Sequence, residues 1–459
     1  MKFRNYLLMI LPMLLLHFFT GCSDNSGEGM EDLTPATGNI GNKVVLYEAN
    51  PKIFAQTNAL AAITTRLDEI KSLGTTVLWL MPIYEQGVEN AVGSPYCVKD
   101  YKKLNAGYGT LDDVKTLVAR AHEKGMRVIF DWVANHTSWD NAWMQNKTWY
   151  TQDANGNIIS PEGMGWADVA DLNYDNVDMR AAMLEAMKYW IEVVDIDGYR
   201  CDYAEGVPHD FWQQAINELK TIKGDDLLML AEGSETTLFA DGFDLVYGWD
   251  FAQELQAVFA GKSKLSALYK IHNQEYKGVP IGKQRLRYST NHDLAAEKSP
   301  LEVYKNERGA MAAFVISSML GGTPLIYSSQ EVAYDHPLSF FEYTSIDWSS
   351  NSAYLNEYKQ LMQIYNSSAT LREGTLKTYE TGNVASFYYK NKGKGLLVMV
   401  NTTDERLAVK TPIERAGDSV KNLMTGEVIT LPVALSLEPY QYYICLLYTS
   451  PSPRDVEES

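Results

Sequence analysis

The residues with the most chemistry to offer fall in four short clusters: Asp131-Trp132-Val133-Ala134-Asn135-His136, Arg200-Cys201-Asp202, Ala231-Glu232-Gly233 and Asn291-His292-Asp293. Each lies at the end of an apolar, strand-like run. Alternate residues of a strand share a face, so Arg200 and Asp202 point one way and Cys201 the other. Alone, Arg200 and Asp202 read first as a structural ion pair, and Asp131, His136 and His292 as ordinary packing or polar residues. Converging from four strands, they exceed what structural pairing usually supplies. A guanidinium beside a carboxylate keeps it ionised and oriented, as a nucleophile requires. Glu232 follows the apolar run LLMLA, where desolvation would raise its pKa toward that of a general acid. Asp293 adds a third carboxylate. One ionised and one protonated carboxyl group flanking a sugar are the equipment of glycoside hydrolysis.

Competing chemistries are poorly represented. The glycine-bearing stretches GGTP and TGNIGN lack the spacing of a phosphate loop or dinucleotide fingerprint. No CxxC and no His/Cys group of zinc spacing is present.

These groups need a scaffold that brings strand ends together. From position 43 the chain alternates strand-like and helix-like segments, with strands in VVLYEAN, TTVLWLMPI, MRVIFDWV, the run into Asp202, LLMLAEG, FDLVYGW, QRLRYST and TPLIYSS. The spacing predicts helices over 110–125, with Thr110 as N-cap, and over 209–223. Eight such pairs over about 330 residues predict a closed parallel (β/α)8 TIM barrel spanning 43–372, since parallel strands need crossover helices. Catalytic groups in that architecture come from the carboxyl ends of the strands. A loop-rich insertion over about 135–175 follows the third strand. Its Trp139, Trp143, Trp149 and Trp166 are expected to form a small core, with sugar stacking the alternative. Short alternating strands over 373–445 read as a separate all-β domain. Residues 446–459 continue neither a strand nor a domain. They resemble translated adapter sequence, and are expected to be disordered, with a foreign origin left open.

The formal net charge of -18 argues against nucleic acid or an anionic membrane surface as partner. The 10 Trp and 29 Tyr suit a core and also suit sugar faces. At the N-terminus, Lys2 and Arg4 precede an apolar run over 6–19 that ends in Thr20-Gly21-Cys22. This resembles a bacterial lipoprotein signal, with cleavage before Cys22 and lipidation of its thiol, although Phe19 replaces the usual Leu. Residues 23–42 are polar and acidic, a tether like those of surface lipoproteins in the Bacteroidetes. An extracytoplasmic protein anchored to the outer membrane is expected, with a periplasmic location the alternative. The anchor is its one membrane contact. Cys97, Cys201 and Cys445 are too few and too odd in number for a disulfide framework.

The blocks DWVANH, GYRCDYAE, LAEG and STNHD resemble, in order and spacing, those of glycoside hydrolase family 13, the α-amylases and their relatives. The resemblance spans about 44–443. It implies the (β/α)8 barrel, a short domain B after the third strand, and a C-terminal β-sandwich. Carried over by position, it makes Asp202 the nucleophile of a retaining mechanism, Glu232 the acid/base and Asp293 the transition-state stabiliser. Arg200 would orient Asp202, His136 and His292 would contact the sugar, Tyr96 would stack on it, and Asp131 would be structural. The reaction needs no cofactor. Many α-amylases carry a Lys-His pair where this chain has Glu205 and Gly206, which leaves the leaving-group side unread. Asn135 matches the family's calcium position, but the six or more oxygens of a calcium site do not assemble from Asp168, Asp171 and the rest of the sequence, and the metal stays unassigned.

The expected substrate is therefore an α-glucan cleaved at α-1,4 links by a monomer. An α-1,6-glucosidase or transglycosylase of the same family, and a non-catalytic glucan-binding lipoprotein, are the alternatives. The last would normally have lost a carboxylate, and all three are present.

Overall fold

The computed structural model describes residues 44–448. The expected export signal, Cys22, the tether and the last residues of the tail lie outside the described residues. Eight parallel strands close a barrel in sequence order: β1 (Leu46–Ala49), β2 (Val77–Leu80), β3 (Arg127–Val133), β4 (Gly198–Asp202), β5 (Leu228–Ala231), β6 (Leu245–Tyr247), β7 (Gln284–Arg287) and β8 (Thr323–Tyr327). β8 returns to β1 with Leu325 opposite Leu46, so the sheet has no edge.

The strands read as apolar runs because both of their faces are covered. Leu46, Trp79, Ile129, Leu230 and Leu325 pack inside the barrel. Their neighbours Tyr47, Leu78, Val128, Met229 and Ile326 pack outward under the helices. The helix Leu111–Glu123 begins at Thr110, whose hydroxyl accepts from the Asp113 N–H while the Asp113 carboxylate accepts from the Thr110 N–H. The helix His209–Lys223 has the predicted bounds. A helix at Leu265–Tyr276, between β6 and β7, was not expected from periodicity. Its apolar stripe is short, and Lys264 offers no side-chain cap.

At the amino ends of the strands one device recurs. Thr76 Oγ1 accepts from Val45 N at 2.9 Å, Asp197 Oδ2 from Val128 N at 2.7 Å, and Asp244 Oδ2 from Met229 N at 3.0 Å. Each polar residue at the start of one strand thereby satisfies a buried N–H of the strand before it.

The connections at the carboxyl ends are longer. After β2, the antiparallel strands Tyr84–Gln86 and Val98–Leu104 hold Tyr96 in their connecting loop. After β3, the expected insertion forms a two-stranded ladder of His136–Ser138 with Val169–Asp171. The C-terminal domain is a six-stranded antiparallel sheet beside the pair Leu407–Lys410 and Ala434–Leu437. Leu396, Val398 and Val400 join the core shared with the barrel, whereas Leu397 and Met399 pack on the other face with Val409 and Leu435. The expected domain end at Cys445 is corrected: the strand Tyr442–Tyr448 continues past it, with Leu446 opposite Leu396 and Leu447 opposite Gly395. The sequence there looks foreign to the fold, but backbone pairing tolerates almost any side chain on a strand already in register. Among the described residues no helix is long and apolar enough to cross a membrane.

β4 begins at Gly198 with φ +143, and a Cβ there would lie 1.9 Å from the Leu228 carbonyl oxygen on β5. Gly198→Ala should therefore destabilise the protein by about 3 kcal/mol or more, read as a lowered denaturant midpoint. A change under about 0.5 kcal/mol would show that β4 and β5 have room to separate.

Candidate active site

Arg200 lies on the inner face of β4 with no exposure, and its guanidinium gathers three carboxylates. Nη1 donates to Asp131 Oδ1 at 2.8 Å and to Asp202 Oδ1 at 2.9 Å, and Nη2 stands 2.6 Å from Glu232 Oε1. The sequence suggested that Arg200 serves the nucleophile candidate alone. The barrel register instead puts it level with β3 and β5, Asp131 pairing with Arg200 and Cys201 with Ala231. Nε points to the Tyr247 hydroxyl oxygen at 3.4 Å, and the guanidinium carbon lies 5.2 Å from the Trp79 ring centre. Cys201 faces away and is buried, as expected.

Asp131 Oδ2 accepts from Trp79 Nε1 and from the Tyr96 hydroxyl, each at 3.2 Å. With Arg200 on its other oxygen, Asp131 is a buried brace rather than a group open to substrate. Tyr96 is part-buried, its ring stacked on His292 at 5.6 Å and its hydroxyl 2.9 Å from His292 Nε2. His292 Nδ1 meets Glu48 Oε1 at 2.5 Å, and Nε2 lies 3.4 Å from Asp293 Oδ1. Asp293 is the open member of the set, its side chain 41% exposed against 12% for Asp202 and 14% for Glu232.

Two cations, Arg200 and protonated His292, thus face five carboxylates: Asp131, Asp202, Glu232, Glu48 and Asp293. That surplus cannot all stay ionised out of water. Burial pushes Glu232 up to about 7 against the pull of Arg200, and pushes Asp202 and Asp131 up to about 6 each. The cluster therefore titrates between about 6 and about 7, with Glu232 at the upper end. The His292 ring, disfavoured as a cation by burial, is nonetheless raised to about 9 by Asp293 and Glu48. His136 is buried and pushed down to about 4, so it is a neutral donor or acceptor.

The backbone finishes the arrangement. Tyr203 N donates to Glu232 Oε2 at 2.7 Å, and Glu232 N donates to the Cys201 carbonyl at 2.9 Å. Of the four insertion tryptophans expected in a small core, Trp143 and Trp149 meet edge to face at 5.4 Å, and Trp139, Trp143 and Trp149 all pack against the main core. Trp166 departs from that expectation. It stands edge-on between His136 at 5.5 Å and Tyr203 at 5.3 Å, at the rim of the site.

Around Asn135 the side chain meets Asp171 Oδ1 at 3.4 Å and His136 Nδ1 at 3.5 Å. Among the described residues no group of three or more His, Cys, Asp or Glu could hold a metal ion.

The sequence reading missed Glu48, Trp79, Tyr203 and Tyr247. A carboxylate ending the first strand-like run was the available signal for Glu48, because the strand-end test applied to the other strands covers β1 as well.

A closed parallel barrel whose carboxylates meet at the carboxyl ends of its strands defines a glycoside hydrolase of the barrel class. The family profile described as Alpha amylase, catalytic domain, matches residues 47–157 and 164–370, and the chain belongs to this family. Alpha-amylase 2 of Dictyoglomus thermophilum is 26% identical over 429 residues, covering 88% of this chain and 73% of that protein. Glucan 1,6-alpha-glucosidase of Streptococcus pneumoniae is 27% identical over 366 residues, 63% of this chain and 65% of that one. The crystal structure of an alpha-amylase from Lactobacillus plantarum superposes with a TM-score of 0.80 at 28% identity, covering 88% of this chain and 99% of that one.

Replacing Glu48 by Gln keeps the shape and removes the charge facing His292 Nδ1. The His292 pKa, followed by imidazole NMR, should fall from about 9 toward or below the ordinary histidine value. An unchanged value would mean that Asp293 alone holds the imidazolium.

Proposed function

We propose that the protein is a retaining α-glucan hydrolase cleaving α-1,4-glucosidic bonds of starch, glycogen or maltooligosaccharides. The observation that carries this reading is the single guanidinium of Arg200 touching both Asp202 and Glu232, which holds the two carboxyl groups close together as double displacement requires. Asp202 attacks the anomeric carbon while Glu232 gives its proton to the departing glycosidic oxygen. A covalent glucosyl ester on Asp202 results. Glu232, now ionised, takes a proton from water as that water attacks the ester, which restores both groups. Asp293, open to the cleft, and the His292 imidazolium supply negative charge and donors around the sugar as positive charge grows on its ring. Tyr96 and neutral His136 complete the walls.

The likeness to a glucan 1,6-alpha-glucosidase keeps α-1,6 cleavage as the second reading, since bond choice lies in loops rather than in the carboxylates. Transglycosylation shares the same intermediate. A non-catalytic glucan-binding role is the least supported, because Asp202, Glu232 and Asp293 are all in place. As an exported, Cys22-anchored monomer, the protein would meet its glucan outside the cytoplasm.

Reducing-sugar release from amylose, pullulan and isomaltose separates these readings. Amylose should be the best substrate, and the first product should be the α anomer by NMR. Asp202→Asn should lower turnover by at least about 10³-fold. Undiminished turnover in that variant would sink the mechanism.

The pH profile has a definite sign. Asp202 must be ionised, so the rate rises with pH through about 6, and Glu232 must be protonated, so it falls through about 7. The kcat/KM profile should be a narrow bell, and Glu232→Gln should flatten its alkaline limb.

A further inference from the structure

Glu232 lies one residue past the end of β5, and its place is set by the loop after β4. Glu232 N donates to the Cys201 carbonyl and Ala204 N donates to the Glu232 carbonyl, each at 2.9 Å. Tyr203 N donates to the side chain itself, at Oε2, at 2.7 Å. Tyr203 makes that bond from the left-handed region, at φ 40. A non-glycine residue keeps such a conformation only where its surroundings over-determine it.

Glu205, two residues further on, supplies that constraint. Its carboxylate turns onto the loop after β5, where Oε1 accepts from Ser234 N at 2.5 Å and from Glu235 N at 3.0 Å. Hydrogen bonds to an ionised acceptor are roughly twice as strong as neutral ones. The stem of Glu205 lies against Gly233, where a Cβ would come within 2.8 Å of Glu205 Cγ. Ser234 is also held through its carbonyl, which accepts from Arg285 Nη1 at 2.6 Å. Arg285, on β7, thus fastens the loop to the barrel, while Glu205 sets it against the loop that carries Tyr203. Glu205 is exposed, so shortening its side chain opens no cavity in the core.

We propose that Glu205 is a positioning residue for the acid, setting the loop after β5 against the loop after β4 so that the Glu232 carboxyl stays within reach of the departing oxygen. This rests on the glycosidase reading above. As the bond from the anomeric carbon to that oxygen breaks and the bond to Asp202 forms, Glu232 passes its proton to the oxygen. A displaced Glu232 slows this step most for an oxygen that leaves poorly as an anion.

Phenyl α-maltoside and 2,4-dinitrophenyl α-maltoside form the matched pair. Both bring a maltosyl unit and an aryl ring, but phenoxide needs a proton as it leaves, whereas dinitrophenolate departs as the anion. The ratio of kcat/KM for the dinitrophenyl to that for the phenyl substrate is independent of the fraction of enzyme that is folded. In Glu205→Ala this ratio should rise about tenfold or more. Glu205→Asp keeps the charge but falls one methylene short of the two N–H groups, and should raise the ratio as well. Glu205→Gln removes the charge but keeps an accepting oxygen in reach, and should stay within about threefold of wild type. An unchanged ratio in Glu205→Ala or Glu205→Asp, including one produced by equal losses on both substrates, would overturn the positioning role. A rise in Glu205→Gln as large as that in Glu205→Ala would overturn it too, and either result leaves the glycosidase reading intact. A wild-type enzyme inert toward both substrates would overturn that reading and the positioning role with it.

Discussion

One buried cation organises the barrel mouth. Arg200 has no exposure, and it holds Asp131, Asp202 and Glu232 from three adjacent strands on one guanidinium. An ion pair at such depth is costly to desolvate, and removing one partner from such a pair costs about 3–5 kcal/mol. The arrangement survives because every neighbour helps. Trp79 and Tyr96 donate to Asp131, the Tyr247 oxygen faces Nε, and aromatic faces surround the guanidinium carbon. The carboxylates therefore cannot move independently. Their spacing is set by the barrel register, which puts Arg200 between β3 and β5.

The same crowding assigns the protons. With more carboxylates than cations out of water, burial raises the carboxyl groups against the pull of Arg200, Asp202 and Asp131 to about 6 and Glu232 to about 7. His292 answers the surplus from the other side, charged between Glu48 and Asp293. Two carboxyl groups on one guanidinium thus acquire different states without any different covalent chemistry. Asp293 is the exposed member of the group, its side chain 41% accessible.

The periphery reflects a related economy. Glu205 ties the loop after β4 to the loop after β5, Gly206 yields its space, and Tyr203 fills it. Lys52, at the far side of the mouth, donates to the carbonyls of Gly93 and Phe341 and so links the loops after β2 and β8. The rim is fastened loop to loop by side chains accepting or donating to backbone, the same device that closes the amino ends of the strands at Thr76, Asp197 and Asp244.

Much of this was legible in the chain order. Strand and helix periods identified the barrel, and strand ends marked Asp202 and Glu232, because alternation on a strand is a local property that survives without knowing its neighbours. Asp293, expected at the end of β7, lies instead in the helix His292–Glu297 that follows it. The capping pair Thr110 and Asp113 and the bounds of the helix at 209–223 are local in the same way. What tertiary structure decided depends on residues far apart in sequence. Glu48 meets His292 across 244 positions, and Trp166 leaves the insertion's core for Tyr203. The strand Tyr442–Tyr448 outruns its expected end because Lys394–Asn401 pairs with it. By itself the sequence determined that Arg200, Asp202, Glu232, His292 and Asp293 reach the barrel mouth. Which of them share a cation, which keep a proton and which face solvent was decided only by closure, because desolvation and Coulomb attraction depend on distance in space and not along the chain.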